Sequence, residues 1–511
     1  MSGKAQNDVA TGKFAAFNVV VSRTPYISKT KFLQGLQCPK LIWSAYNAKH
    51  LFPEVDDALQ AVFNQGHEVG SFAKRMFPNG IEIDTGPTDF EGAIQLTQKH
   101  LPSKRPLFEG TLSASGGYAR ADILNPVGKN EWDLIEVKST TSLKDVHIPD
   151  LAFQTWVFTK AGLKIRRCFL CHINNEFVRH GEIDPKEFFT LRDVTAEVGQ
   201  MSGEIEEMVG QMGKTIRSAK CPEIQIGKQC DNPYTCPLHE NCWSFLPPQN
   251  VLDLYFDTKG RGWDLLKRGV LRIADIPENY SLSEKQEIQR STAISGKPHV
   301  KQTQIETFLN NLEYPLHFLD FETFSPAIPL FDGTRPYEQI PFQFSLHIVH
   351  KAGTKPEHRK FLAEGRNDPR SEFMRQLKSA VEPDGSIVVF NAPFEKARMK
   401  ECADVLPQYK SWVAAVNSRI VDLLIPFRGF NFYHPDQCGS ASMKQVLPAL
   451  TGKDYSKLEI QEGEAASREF LRVTFTDVSE SERKRVRRAL EKYCGLDTQG
   501  MVWILDALRG V

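Results

Sequence analysis

The sequence predicts an α/β protein in which two strand-bearing units are joined by a helical linker. Three stretches carry that reading. "YARADILNPVGKNEWDLIEVKSTTSLK" reads as two strands around a polar turn, Asn125 to Asn130. "YPLHFLDFETF" opens a second strand-rich unit just after a short amphipathic helix, Thr303 to Leu312. Between the units lie about fifty residues of helical periodicity. The boundaries fall at 1–245, 246–305 and 306–511, with "SFLPPQNV" (Ser244 to Val251) punctuating the first junction. At 511 residues the chain has room for about three domains. It shows no internal repeat and no low-complexity tract.

Composition narrows the function class. The chain is 41% apolar and 25% charged with a formal net charge of zero, ordinary for a soluble globular protein. Any polyanion must therefore be gripped by a local patch and not by the field of the whole molecule. No apolar run approaches the roughly 18 residues of a membrane span. The N-terminus, "MSGKAQNDVATGKF", lacks the layout of a secretory signal, so a cytoplasmic location without a membrane partner is expected. Ten cysteines in such a chain argue against a disulfide framework. Cys38, Cys168, Cys171, Cys402, Cys438 and Cys494 are scattered, whereas Cys221, Cys230, Cys236 and Cys242 cluster. Cys168 and Cys171 flank a strand on opposite sides and read as core residues.

In the first unit Asp122 closes one strand, and Glu136 and Lys138 lie on the next. Residues two apart on a strand share a face, so Glu136 and Lys138 point together, and hairpin pairing brings Asp122 beside them. Two carboxylates suit a hard cation such as magnesium or manganese, and the lysine can polarise an attacking water. Asp122 followed by "EVK" resembles the signature of the PD-(D/E)xK nucleases, implying a restriction-endonuclease-like domain. Gln154, in the amphipathic helix "DLAFQTWVFTKAGL", matches a glutamine of the RecB-type members. Cys38 in "SKTKFLQGLQCPKLIW", with three cysteines after the core, resembles the CRISPR-associated branch that clamps a [4Fe–4S] cluster.

By that analogy the ligands are Cys38, Cys230, Cys236 and Cys242. A rival set replaces Cys38 with Cys221, a local knot that would also hold zinc. The cluster is expected to be structural, pinning the N-terminal helix, because hydrolysis needs no electron. The resemblance also implies a metal-binding histidine four residues after a glycine. Here His67 directly follows Gly66 and Gly70 occupies that offset, so His67 reads as a surface helix residue. Glu109 reads either as a further metal-facing carboxylate or as a strand-edge glutamate.

In the second unit Asp320 and Glu322 share a strand face among Phe318, Leu319, Phe321 and Phe324. Paired buried acids raise each other's pKa unless a cation lies between them. Asn391, Phe394 and Glu395 follow a buried strand, Ile387 to Phe390, and Tyr493 and Asp497 stand four apart on a long C-terminal helix. This order resembles the DEDDy exonucleases of the ribonuclease H-like fold. It implies metal ligands Asp320, Glu322, Glu395 and Asp497, with Tyr493 orienting water. Glu395 departs from the aspartate usual there, and Asp422 is a competing acid ranked below it. "GSASMKQVLPAL" resembles the serine–hydrophobic–lysine helix start of such exonucleases, with Ser440 or Ser442 as cap. The basic run Arg483, Lys484, Arg485, Arg487 and Arg488 reads equally as a phosphate grip or a solvated face.

"LLKRGVLRIADIP" in the linker resembles a helix-hairpin-helix, with a plain helical linker as the alternative. The whole, with "RPYEQIPFQFS" (Arg335 to Ser345) as the second strand of the C-terminal sheet, looks like an uncharacterised bacterial family. The expected function is metal-dependent hydrolysis of nucleic acid, DNA first, at two sites, the second trimming from a 3′ end. The alternative is a nucleic-acid-binding or scaffolding protein in which one site, the C-terminal one first, is inactive.

Overall fold

Strand pairing in the computed structural model produces two main sheets, and helices fill the space around each. Residues 26–86 and 88–511 are described; the N-terminal stretch read above for a signal lies outside them. The first sheet holds β1 (Ile27–Ser28), β2 (Ile81–Glu82), β3 (Leu107–Ala114), β4 (Gly117–Val127), β5 (Glu131–Lys138), β6 (Lys164–Ile173) and β7 (Phe189–Asp193). Its order is β2-β3-β4-β5-β6-β7, with β1 alongside β4. β3, β4 and β5 form an antiparallel meander. β5 and β6 run parallel, so the chain must cross over between them. Helix His147–Lys160 makes that crossover.

Two expectations for this unit need correction. The turn after β4 is shorter than Asn125 to Asn130, because pairing continues to Val127 opposite Glu131. Asp122 is therefore in mid-strand and not at the strand end. Helix His147–Lys160 is also not two-faced: nine of its 14 residues are buried. It is covered by the sheet on one side and by helices Lys29–Gln37, Thr195–Ser202 and Ile205–Arg217 on others. Cys168 and Cys171 on β6 are buried in different clusters, as their three-residue spacing requires.

The linker packs helix Arg261–Lys267 and helix Glu284–Ser295 around Val251, Leu254, Leu265, Ile273 and Ile276. After Gly269 the apolar "VLRIADIP" makes a single 3₁₀ turn, Ile273–Asp275. A pair of helices around the glycine therefore does not form there. A two-residue strand, β8 (His299–Val300), precedes helix Gln302–Asn310.

The second sheet comprises β9 (Leu316–Phe324), β10 (Ile340–Val349), β11 (Glu357–Leu362), β12 (Ile387–Val389) and β13 (Ile420–Asp422), in the order β11-β10-β9-β12-β13. β10 is antiparallel to β9 and β11, while β12 is parallel to β9 and β13. A short strand β14 (Phe432–Tyr433) returns to pair with β8. Alternation along β9 sorts its side chains. Leu319 and Phe321 join the core beneath helices Arg370–Ala380 and Ala392–Val405. Phe318 and Phe324 join the opposite core, beneath helices Gly463–Phe475 and Glu480–Arg509. Asp320 and Glu322 lie between that second pair, on its face.

β10 begins at Ile340, so Arg335 to Gln339 are not part of the strand as expected. They end a loop, residues 325–339, that docks onto the first unit. The Tyr337 hydroxyl donates to the Ser139 carbonyl and accepts from Gln65 Nε2 at 2.9 Å. Arg179 donates to the carbonyls of Pro329 and Leu330 at 2.9 and 2.8 Å. Ala327 is buried in the same cluster as Val69, Phe108 and Ile135.

Gly385, just before β12, has φ +83°, and a Cβ there would lie 2.0 Å from the Pro315 carbonyl oxygen. The left-handed backbone and a rigid backbone neighbour both exclude a side chain. Gly385→Ala is expected to destabilise the protein by more than about 2 kcal/mol, read as a lower denaturant midpoint.

Candidate functional site

Strand pairing builds the first centre. The Val137 backbone N–H donates to Asp122 Oδ2 at 2.7 Å across the β4–β5 ladder. Lys138 Nζ lies 2.7 Å from Glu136 Oε1 and 2.8 Å from Asp150 Oδ2. Gln154 Nε2 donates to Glu136 Oε2 at 2.7 Å and to Asp150 Oδ1 at 3.0 Å. Asp122, Glu136, Lys138 and Gln154 are thus brought together.

Two further participants were not read from the sequence. Asp150 stands one helical turn before Gln154, and that four-residue spacing could have revealed it. Lys29 opens helix Lys29–Gln37 and reaches Glu136 Oε1 at 2.7 Å and Asp122 Oδ1 at 3.9 Å. No local signal marks it, because Glu136 is 107 residues away.

These contacts separate the two acids electrostatically. Burial pushes Glu136 up, but Lys138 and Lys29 outweigh it and hold the carboxyl well below the usual range. Asp122 is pushed up to about 7 by burial and by the charge on Glu136. Glu109, on β3, is held by Lys74 at 3.0 Å and adds to the field on Asp122. His67 is exposed on helix Asp57–Lys74.

Cys38, Cys230, Cys236 and Cys242 line one pocket with Leu41 and Leu238. The Cys236 backbone N–H donates to the Cys230 carbonyl at 2.7 Å, which folds that loop tightly. Cys221 is outside this lining, within electrostatic reach of Cys38 and Cys242. Four soft donors around one space are chemically suited to iron–sulfur or zinc.

The second centre forms where β9 meets the 30-residue helix Glu480–Arg509. Asp320, Glu322 and Cys494 place their donor atoms within 4.8 Å of one another. Burial, then Asp497, Glu322 and Glu395, push the Asp320 carboxyl well above its ordinary value. Asp497, Glu322 and Glu395 therefore all lie within electrostatic reach of Asp320. Glu395 sits in the first turn of helix Ala392–Val405, where burial pushes it up to about 8. Its Oε2 is buried with no hydrogen-bond partner among the described residues. Asp422, by contrast, is occupied by the backbone N–H groups of Asn391, Ala392 and Leu424 at 3.0 to 3.1 Å.

Two residues here, Cys494 and Tyr455, escaped the sequence reading, whereas Lys444 is the lysine of the serine–hydrophobic–lysine start. Cys494 is fully buried beside Asp320. The Tyr455 hydroxyl donates to Asp497 Oδ1. Lys444 is the cation whose charge opposes the upward shifts of Glu322 and Asp497. Tyr493 lies close to Asp497, Glu322 and Asp320, whose charges add to burial in raising its phenol. Of the two serines expected as cap, Ser442 occupies the N-cap of helix Met443–Thr451, without a side-chain capping bond.

One exposed lysine does not neutralise four carboxylates. Carboxylate oxygens in this number, one of them orphaned, form a donor set that fits a hard divalent cation.

Residues 317–442 match a family described as "Domain of unknown function (DUF2779)". The DUF2779 match takes in Asp320, Glu322, Glu395 and the docking loop, and ends before Tyr493 and Asp497. The chain is also similar to "Uncharacterized protein MG366" of Mycoplasma genitalium, 30% identical over 216 residues, or 38% of this chain and 32% of that protein. Its Mycoplasma pneumoniae homolog is 27% identical over 209 residues, 37% of this chain and 31% of that one. The chain thus spans about a third of the length of the curated relatives it matches. No helix among the described residues is long and apolar enough to cross a membrane.

Proposed function

We propose that the protein is a metal-dependent nuclease with two hydrolytic centres, the first of PD-(D/E)xK type and the second a DEDDy-type 3′–5′ exonuclease. One observation carries this reading. Asp320 and Glu322 place their oxygens within 4.8 Å of one another, and Asp497 and Glu395, from two other distant segments, lie within electrostatic reach of Asp320 with too little positive charge to offset them. Such an arrangement is unfavourable unless divalent ions belong there.

Asp320, Glu322, Glu395 and Asp497 would hold magnesium or manganese in the second centre, and Asp122 and Glu136 in the first. When bound there, such an ion would supply charge for water activation and for the leaving oxygen. Tyr493 has its hydroxyl beside the acids, where it would orient the attacking water. Tyr455 holds Asp497 in place through its hydrogen bond. In the first centre Lys138, fixed by Glu136 and Asp150, would face the reacting phosphate, and Gln154 keeps Glu136 oriented. Cys38, Cys230, Cys236 and Cys242 would bind a [4Fe–4S] cluster that clamps the N-terminal helix.

A second reading, in which the first centre binds nucleic acid without cutting it, has one observation in its favour. Both oxygens of Glu136 are already taken, by Lys29, Lys138 and Gln154.

Cleavage of 5′- and 3′-labelled DNA oligonucleotides with manganese separates these readings. Lys138→Ala and Asp320→Ala should each abolish a different product ladder. Loss of products only in Asp320→Ala would leave a single catalytic centre. Wild-type cutting by both variants would end the nuclease reading.

A further inference from the structure

The basic run on the C-terminal helix divides into two sets. Arg483 and Arg487 serve the fold: Arg483 donates to the Val473 carbonyl, and Arg487 to those of Ala363 and Leu362. Arg485 is tied to Glu482 and Glu459. Lys484, Arg488 and Lys492 project from a different stripe, in four-residue steps that climb about 6 Å each. With Lys457 and Arg485 they line an open cavity of about 610 Å³. Among the described residues, Lys457, Arg488 and Lys492 have no ion-pair partner, and Lys484 has only Glu480 at 3.5 Å. All four are exposed.

Each wall of this cavity adjoins, along the chain, a residue of the second centre. Lys492 directly precedes Tyr493 on the helix. On the facing loop, Lys457 is two residues beyond Tyr455, which bonds Asp497. A crowd of carboxylates repels any phosphodiester approaching it, and a chain of zero net charge has no overall field to offset that repulsion. The unpaired Lys457 and Lys492 stand within two residues, along the chain, of the tyrosines beside that cluster. No aromatic side chain lines the cavity, so nothing there stacks on bases.

We propose that this cavity grips the sugar–phosphate backbone of a single nucleic-acid strand, independently of base sequence, and feeds its 3′ end to the second centre. The direction of the strand rests on the exonuclease reading above; the binding itself does not. An acidic protein segment would satisfy the charges but has no reason to run into a carboxylate cluster.

Fluorescence anisotropy tests this with the full chain in EDTA and a 5′-labelled oligothymidylate of about 20 nucleotides, longer than a typical single-strand site. The variant Lys457→Glu/Arg488→Glu/Lys492→Glu should bind at least ~100-fold more weakly. Its plot of log affinity against log salt should be shallower by about 2, the loss of three phosphate contacts. Lys457→Arg/Arg488→Lys/Lys492→Arg should bind like wild type, and the corresponding triple glutamine variant should reproduce the shallower slope without charge reversal. Wild-type affinity and slope in the reversed variant would overturn the proposal. So would displacement of the oligonucleotide by poly-glutamate at equal charge, which would identify an acidic protein partner. If the reversed variant loses binding while Asp320→Ala keeps all its products, the cavity stands and the exonuclease reading falls.

Discussion

Asp320→Asn is expected to raise the thermal midpoint of the metal-free protein while removing 3′–5′ trimming. Ordinary substitutions of buried polar residues destabilise, so the sign is diagnostic. Asp320 stands among Asp497, Glu322 and Glu395, each of whose charges repels its own. Asparagine keeps the shape and deletes one repelling partner. The same physics sets the pH dependence. Asp497 and Glu395 are pushed up to about 7 and about 8, above their unfolded values, so the folded state binds protons more tightly. Stability in EDTA must then fall as pH rises from the ordinary carboxylate range to about 8. Magnesium should reverse that loss in the wild type, lifting its midpoint at pH 8 by about 5 °C or more at saturating concentration. It should do little for Asp320→Asn. Trimming should drop by ~10²–10³-fold, as when one preorganised electrostatic partner of a transition state is removed. Differential scanning at pH 5.5 and 8, with and without magnesium, checks the stability half. An Asp320→Asn protein that melts below wild type in EDTA at pH 8 would make Asp320 a structural residue.

Cys38→Ser should silence the first centre from a distance. Helix Lys29–Gln37 has nine residues, about 13 Å of length. Lys29 at its start touches Glu136, and Cys38 directly beyond its end faces Cys230, Cys236 and Cys242. A cluster held by those thiols would fix where Lys29 lies. Without it, Glu136 loses one of the two ammonium groups that keep it ionised despite burial. Lys29→Ala makes the same change directly. Both variants should lose Lys138-dependent products by at least ~100-fold, the scale on which supporting residues of a metal site act. Both should keep the trimming that depends on Asp320, which separates this effect from general unfolding. Iron content should fall in Cys38→Ser and stay normal in Lys29→Ala. Full first-centre activity in an iron-free Cys38→Ser protein would disprove the linkage.

What the sequence made legible was local periodicity. Two-residue spacing placed Asp320 with Glu322 and Glu136 with Lys138, and four-residue spacing placed Tyr493 with Asp497. The mixed α/β character followed from the same patterns. The hidden part was non-local. Lys29 meets Glu136 across 107 residues, and Tyr455 meets Asp497 across 42. Nothing in "RPYEQIPFQFS" distinguishes a strand from a loop whose tyrosine bonds a carbonyl 198 residues earlier. Even the burial of helix His147–Lys160 came from helices whose packing no short window reveals.

The loop at 325–339 makes the two units share a core. Ala327 is buried among side chains of the first unit, and Ile328 and Tyr337 pack against the same group. A chain severed near residue 305 would leave one fragment with a raw apolar socket and the other with an unsheathed plug, both prone to clump. Dissecting the two proposed activities by truncation would therefore mislead, whereas single substitutions leave the joinery whole.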